Sequence, residues 1–348
     1  MRWNLATYHG DLAQYRYPVD KEFADLLLFL KHVKLNKRVY LLDVMGWNIP
    51  YPALDYDVYI ICGFGEAINE DLINRLDTDP AFEDKHVILL TSQYYQPVLK
   101  KIKLFHVEHL HTIKRFFPAI TCSALKDRTY NHGALSRRTT FHKSYALIKL
   151  RQQFGQSLQY SFCGFQDNNE YQVDKLTHVL LGGDKLLTHE EIAEFKFLHD
   201  NPVSVEGDQW SIENHIYKNS RLIWTLESMF ASSQATAFLT EKIVKSIVSR
   251  SCFIMFSQKS SYRRLREMGF ETFDKQISLD FDELEDSERF EKICDLMHTT
   301  DFDDWLTQPE TQQIVDYNYN HFYNNFYDYV ERANKEKIQT VIEYINAI

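Results

Sequence analysis

The sequence predicts an α/β protein of two consecutive domains facing a cleft, with a C-terminal helix crossing back. Three observations carry this. Short apolar runs alternate with stretches of helical spacing, the rhythm of a parallel sheet with helices on its faces. The rhythm stops at a polar stretch, residues 126–133 (KDRTYNHG), and then restarts. The chain has 348 residues, enough for two cores at about 150 residues per domain. The expected division is 1–130, 131–310 and a helical segment 311–348.

The elements follow in order. Residues 5–8 make a weak first strand, and 22–33 have helical spacing. RVYLLDV (38–44) and DVYIIC (57–62) read as strands, EAINEDLINRL (66–76) as a helix, HVILLT (86–91) as a strand and 120–125 as one more. After the break, 140–154 reads as a helix and 158–163 as a strand. Thr188, with Glu191 three residues on, forms a capping box opening the helix 188–198. RLIWTLE (221–227) is a strand, 241–249 a helix, CFIMF (252–256) a strand and 261–268 a helix. The last forty residues are helical, dense in Tyr and Phe over 317–329.

Composition bounds the classes. Hydrophobic residues are 44% and charged residues 25%, ordinary for a globular chain and not for a collagen, a disordered tail or a small disulfide scaffold. No apolar run reaches the length of a membrane span, and the N-terminus has no apolar h-region. Five scattered cysteines, Cys62, Cys122, Cys163, Cys252 and Cys294, contain no CxxC. The expectation is a reduced, cytoplasmic protein without a zinc site, in the host cytoplasm if it is viral.

The net charge of −10 hides a strong asymmetry. Residues 100–151 hold twelve Lys or Arg against two acids, Glu108 and Asp127, whereas 271–310 hold fourteen acids against three bases. A basic belt inside an acidic chain is either a solvated face or a surface for phosphates. Lys100, Lys101 and Lys103 are its candidate acceptor-binding residues.

The most informative segment is 238–273, FLTEKIVKSIVSRSCFIMFSQKSSYRRLREMGFETF. Thr240 stands at an N-cap position before Glu241. Ile243, Val244, Ile247 and Val248 share one helical face. Glu241 and Lys242 therefore fall in the first turn, where free N–H groups and the positive dipole end suit a diphosphate. A carboxylate there accepts two hydrogen bonds from a ribose diol, and a lysine neutralises phosphate. Acids also favour first turns for the dipole alone.

FLTEKIVKSI resembles the TEK motif of α1,3-fucosyltransferases and of the fucosyltransferase-like proteins of tailed phages and large viruses. The order that follows is similar too: CFIMF, then a helix ending in Leu265, Arg266, Gly269, Phe270, Thr272 and Phe273, like LRxxGFxTF. LIWTLES with Glu227 and LSRRTTFHK (135–143) fit upstream. The resemblance covers about 140 residues of the second half. It implies a GT-B glycosyltransferase of two Rossmann-like domains, inverting and metal-independent, with the nucleotide-sugar bound mainly by the second domain. It also implies that Arg137 or Arg138 reaches the donor diphosphate, in a basic cluster with His142 and Lys143. Thr240, Glu241, Lys242 and Glu227 complete the donor set. Val244 and Ser246 stand where relatives often carry Trp and Pro, so the resemblance leaves the sugar open. The donor is UDP- or GDP-linked, and no other cofactor is implied.

Inverting transfer requires a base to deprotonate the acceptor hydroxyl. Glu66, in GFGE after the strand DVYIIC, is the first candidate; Asp11, in YHGD beside His9, is the second. Other motifs carry less. Gly63 and Gly65 lack the third glycine of a dinucleotide fingerprint. His106, Glu108, His109 and His111 lack zinc-site spacing. The DxD triplets at 55–57, 77–79 and 280–282 stand away from strand ends, so no metal is expected. The aromatic run 317–330 is a packing helix or a base-stacking platform. The expected function is sugar transfer from a nucleotide donor to a hydroxyl. The acceptor is a hydroxymethylated base in duplex DNA, bound through 100–151, or alternatively a glycan. A non-catalytic nucleotide or nucleic-acid binding module is the other alternative.

Overall fold

A computed structural model describes residues 5–8, 37–43, 56–63, 70–92, 94–95, 99–108, 110, 117–136, 140–162, 188–203, 215–230 and 235–348. The sequence features at Asp11, 22–33, Glu66, His109, His111, Arg137, Arg138 and Cys163 lie outside the described residues. The chain divides into two compact units. Unit 1 comprises Met1–Ile113, Gln234–Phe238 and Phe326–Ile348, and unit 2 comprises Lys114–Ser233 and Leu239–Asn325. The first division thus falls at 113/114 rather than 130/131, and the last helical segment is shared between the units.

Unit 1 is built on a parallel sheet of β1 (Leu5–Tyr8), β2 (Val39–Asp43), β3 (Val58–Gly63), β4 (His86–Thr91) and β6 (Ile102–His106). The two-residue β5 (Tyr94–Tyr95) lies outside it. The spatial order is β1-β2-β3-β4-β6, the same as the order in sequence. Its strands alternate between two apolar faces. Val58, Ile60, Cys62, Ile88 and Leu90 line one, while Tyr59, Ile61, Val87 and Leu89 line the other. Right-handed crossovers between sequential neighbours fall on a single face. Helix α1 (Glu70–Thr78) and the 3-10 turn Pro80–Phe82 lie there, packing Ile73, Leu76 and Phe82 on Tyr59 and Leu89.

A singly wound sheet needs another cover for its second face, and the C-terminal helix (Tyr327–Ala347) provides it. Val341, Ile342 and Ile345 pack on Ile60, Cys62, Ile88 and Leu90. Burying three such side chains contributes on the order of 5 kcal/mol. Asn334 fixes the helix by accepting from the Glu108 N–H at 3.0 Å and donating to the Glu108 carbonyl at 2.8 Å. The expected strand at 120–125 is absent, its place in the sheet taken by β6, where Lys103 and His106 interrupt the apolar residues.

Unit 2 holds a second parallel sheet of β7 (Tyr130–Ser136), β8 (Leu158–Phe162), β9 (Ser220–Leu226) and β11 (Cys252–Phe256). Its order is β11-β9-β7-β8. Central strand β7 occupies the segment that reads as a linker. Gly133 explains this: a Cβ there would meet Ser220 Oγ at 2.6 Å and Ile216 Cγ2 at 2.8 Å. Only glycine lets helix α4 (His215–Asn219) and β9 approach so closely, and its presence makes the strand look like a turn. Two longer helices precede α4: α2 (Phe141–Phe154) and α3 (His189–Asp200), the latter opened by the expected Thr188–Glu191 capping box. Beyond β9, β10 (Ala235–Thr236) pairs antiparallel with β5 in unit 1. The chain then enters α5 (Glu241–Val248) in unit 2.

The N-terminal end of this sheet is stitched by Arg128. Its guanidinium donates to the carbonyls of Ser123, Ser220, Ser249 and Arg250 and to Ser251 Oγ, at 2.6–3.2 Å. Of the remaining helices, α6 (Ser261–Glu267) leads into the Gly269–Phe270 (GF) motif and is followed by α7 (Asp286–Thr299), α8 (Phe302–Trp305) and α9 (Pro309–His321). Gly269 has φ +85° and lies against the His321 imidazole of α9. His321 Nε2 bonds the Met268 carbonyl at 2.9 Å, and Tyr317 donates to the Gly269 carbonyl at 3.1 Å. The GF motif is therefore a docking point for α9. No helix among the described residues is long and apolar enough to cross a membrane.

Candidate functional site

The order β11-β9-β7-β8 changes direction at β7: the chain goes from β7 to β8 on one side, then to β9 and β11 on the other. Such a switch point opens a crevice beyond the carboxyl ends of the two strands, where ligands bind in α/β sheets. Here those ends are Ser136 of β7 and Leu226 of β9. Unit 1, with its sequential order, has no switch point among its described strands.

The polar pair Glu227–Ser228 follows β9. Glu227 is fully buried and accepts three hydrogen bonds. The Thr240 hydroxyl donates to Oε2 at 2.5 Å, the Ser228 N–H to the same oxygen at 3.2 Å and the Thr240 N–H to Oε1 at 3.2 Å. Burial pushes its carboxyl above the usual range, against the Lys242 charge and the Thr240 bonds.

Thr240 is the N-cap of α5, in extended conformation, and its hydroxyl accepts from the Lys242 N–H at 3.4 Å. The apolar stripe expected from sequence is present: Ile243, Val244, Ile247 and Val248 are buried. Ser246 Oγ lies 3.0 Å from Thr225 Oγ1, tying α5 to β9.

Lys242 and Glu241 are partly exposed. The Lys242 ammonium donates to Glu241 Oε1 at 2.8 Å, Ser228 Oγ at 3.0 Å and Thr240 Oγ1 at 3.2 Å. Burial alone would raise the Glu241 carboxyl, but the charge and hydrogen bond of Lys242, with Lys245 behind, bring it below the usual value. The Lys245 ammonium sits over the Phe117 and Tyr217 rings. The first turn of α5 thus presents a carboxylate and an ammonium side by side.

From the β7 side, α2 begins at Phe141 without an acid in its first turn. His142 Nε2 bonds the Glu227 carbonyl at 3.1 Å and Nδ1 faces Thr140 Oγ1 at 3.2 Å. Burial, with the charges of Lys143 and Lys242, pushes the imidazole down to about 3. His142 is therefore a neutral link between the two strand ends rather than a member of a basic cluster. Lys143 is also buried. Sequence reasoning missed Ser228 as a partner of Lys242, although the pair Glu-Ser after an apolar strand was its signal.

The basic residues of segment 100–151 that the structure describes have several different roles. The segment is divided between the two units. Arg128 and Lys143 are buried, Lys149 is paired with Glu191, and Arg151 is paired with Glu194 at 3.0 Å. Lys100 and Lys103 are exposed and Lys101 partly so. The backbone N–H groups of Lys100, Lys101 and Ile102 all donate to the Asp77 carboxylate at 2.7–3.1 Å. Lys103 lies on β6, an edge strand among the described residues, where lysine also blunts sheet-to-sheet pairing.

Several other candidates among the described residues have structural partners. Asp77 is this backbone cap. Asp282 accepts the Tyr262 and Arg263 N–H groups and closes the N-terminus of α6. His106 bonds the Ser92 carbonyl, Glu108 caps Leu110, and no metal-binding group of three or more ligands occurs among the described residues. In the aromatic run, Phe322 and Phe326 are buried, and the Tyr319 and Tyr323 hydroxyls donate to the carbonyls of Ile120 and Phe117. Phe322 and Phe326 therefore pack in the interior, and the two tyrosines are partly buried.

No protein-family model matches this sequence, and no curated protein matches it.

Proposed function

We propose that unit 2 binds a nucleotide-sugar at the switch-point crevice and that the protein transfers the sugar to an acceptor hydroxyl. The observation that carries this is the Glu241–Lys242 pair in the first turn of α5, beside the carboxyl ends of β7 and β9. Glu241 would accept the ribose diol, and Lys242 would face the diphosphate, whose negative charge grows as the glycosidic bond breaks. The resemblance of FLTEKIVKSI to the TEK segment of fucosyltransferase-like enzymes supports the same assignment and adds Arg137 or Arg138 as a diphosphate contact. In this reading Glu66, or else Asp11, is the base.

The acceptor reading shifts with the charges. With Arg128 and Lys143 buried and Lys149 and Arg151 paired with acids, the basic segment offers fewer free charges to a DNA backbone, which favours a glycan or other small hydroxyl acceptor. The test is a thermal-shift panel of UDP-, GDP- and CMP-sugars, since a bound donor raises stability by mass action. It is followed by transfer of labelled sugar to hydroxymethylated duplex and to oligosaccharides. One donor class should stabilise the fold. Stabilisation by none of them would sink the proposal. Labelling of duplex, with a salt slope reduced by joint Lys100→Ala and Lys101→Ala substitution, would restore the DNA acceptor.

A further inference from the structure

The resemblance groups Glu227 with the donor-binding residues, but its carboxylate is fully buried and all three of its bonds face inward. We infer that Glu227 is a positioning residue: acting through Thr240 and Ser228, it holds the Lys242 ammonium at the mouth of the crevice. The inference rests on the nucleotide-sugar reading for its consequence in binding, but the positioning itself is a property of the unliganded protein.

The direction of one proton sets the arrangement. The Thr240 hydroxyl has one proton, and it points at Glu227 Oε2. Its lone pairs are thereby left for Lys242, which approaches with its backbone N–H at 3.4 Å and its ammonium at 3.2 Å. Oε2 also accepts the Ser228 N–H, fixing the residue whose Oγ is a second acceptor for the ammonium at 3.0 Å. Oε1 accepts the Thr240 N–H, fixing the start of α5. Every group that meets Glu227 here is a donor, so the position requires an acceptor-only side chain.

Glutamine cannot replace it. Turned one way, its NH2 meets the Thr240 N–H; turned the other, it meets the Ser228 N–H and the Thr240 hydroxyl. In the second case the hydroxyl must accept from the amide and turn its own proton toward the Lys242 ammonium. Either outcome removes or disturbs a fixed acceptor of Lys242 while leaving the volume of the side chain unchanged.

The test uses the full chain with Glu227→Gln, Thr240→Val and Thr240→Ser. Two readouts are taken on each variant: the ammonium resonance of Lys242 in a lysine 1H–15N spectrum, assigned with Lys242→Arg, and calorimetric affinity for UDP and GDP. A lysine ammonium is visible when hydrogen bonds slow its proton exchange. The signal should be present in wild type and Thr240→Ser, and lost in Glu227→Gln and Thr240→Val. Nucleotide affinity should fall at least about tenfold in the latter two, the worth of a hydrogen bond to a charged group. The double variant Glu227→Gln/Thr240→Val should bind no more weakly than the worse single one, because the residues act in series.

A Lys242 signal unchanged in folded Glu227→Gln would overturn the inference. So would additive affinity losses. Should Thr240→Val fail to fold, Glu227→Gln and Thr240→Ser decide the matter. If wild type binds neither UDP nor GDP, the donor reading fails, and the ammonium spectrum still tests the positioning.

Discussion

Asn318 grips the backbone of Glu271 at both ends: its Oδ1 accepts the Glu271 N–H at 2.8 Å, and its Nδ2 donates to the Glu271 carbonyl at 2.9 Å. Asn334 holds Glu108 in unit 1 by the same two bonds. In each unit an asparagine on a late helix thus bonds both backbone groups of a single residue, as a neighbouring strand would. Asn318→Ala is expected to destabilise by about 1–3 kcal/mol, because both Glu271 groups lose their partner. Urea denaturation measures this, and an unchanged midpoint would mean that water replaces the amide without loss.

Gly269→Ala should be worse. The residue sits at φ +85°, and an added Cβ would lie 2.9 Å from His321 Nε2. Positive φ alone costs about 1–3 kcal/mol for a residue with a side chain. In a His321→Ala background the contact is gone and only the backbone cost remains. Gly269→Ala should therefore cost less there than in wild type, by differential melting of the four proteins.

Arg128→Met tests the stitch below the sheet. It leaves four carbonyls and the Ser251 hydroxyl without the guanidinium, at about 1–3 kcal/mol for each stranded group that water cannot reach. A loss of at least about 3 kcal/mol in unit 2 is expected. A neutral substitution would show that the buried charge costs as much as its bonds return.

Acid sensitivity follows from two buried histidines. Burial holds His132 down at about 4 and His142 at about 3. The unfolded chain takes up these protons as pH falls below about 6.5, and the folded chain does not, so stability is lost from there down to the folded values. His132 alone accounts for roughly 3 kcal/mol across that range. Glu227 and Asp282, pushed up by burial, act in the opposite sense. The histidine share is isolated by comparing wild type with His132→Asn between pH 7 and 4. The variant should show a shallower loss, and an identical slope would exclude His132 as a source.

Elements with a clear period were legible from sequence: HVILLT, CFIMF and the helix opened by Thr188 form as their patterns dictate. The failures have physical causes. β7 contains His132 and Gly133, residues chosen by tight packing rather than by strand propensity, and it reads as a linker. β6 is short and carries Lys103 at its exposed position, just after Lys100 and Lys101, so its apolar residues do not stand out. The division of the C-terminal segment depends on a bare sheet face in unit 1, a tertiary fact with no local signal. At the site, Thr240 as N-cap and the buried face of α5 were readable because capping and periodicity are local. That Glu227 faces inward and that His142 is neutral depends on burial, which only the fold supplies.

The central claim is that the Glu241–Lys242 turn binds a nucleoside diphosphate. Calorimetry of UDP and GDP against wild type and Glu241→Ala tests it most directly. The substitution removes a partly exposed side chain and about 0.3–1 kcal/mol of dipole stabilisation, so the variant should stay folded. Wild type should bind one of the two nucleotides, and Glu241→Ala should bind it at least about tenfold more weakly at an unchanged number of sites. Equal affinity in a folded Glu241→Ala protein, or no binding of either nucleotide by wild type, would contradict the account.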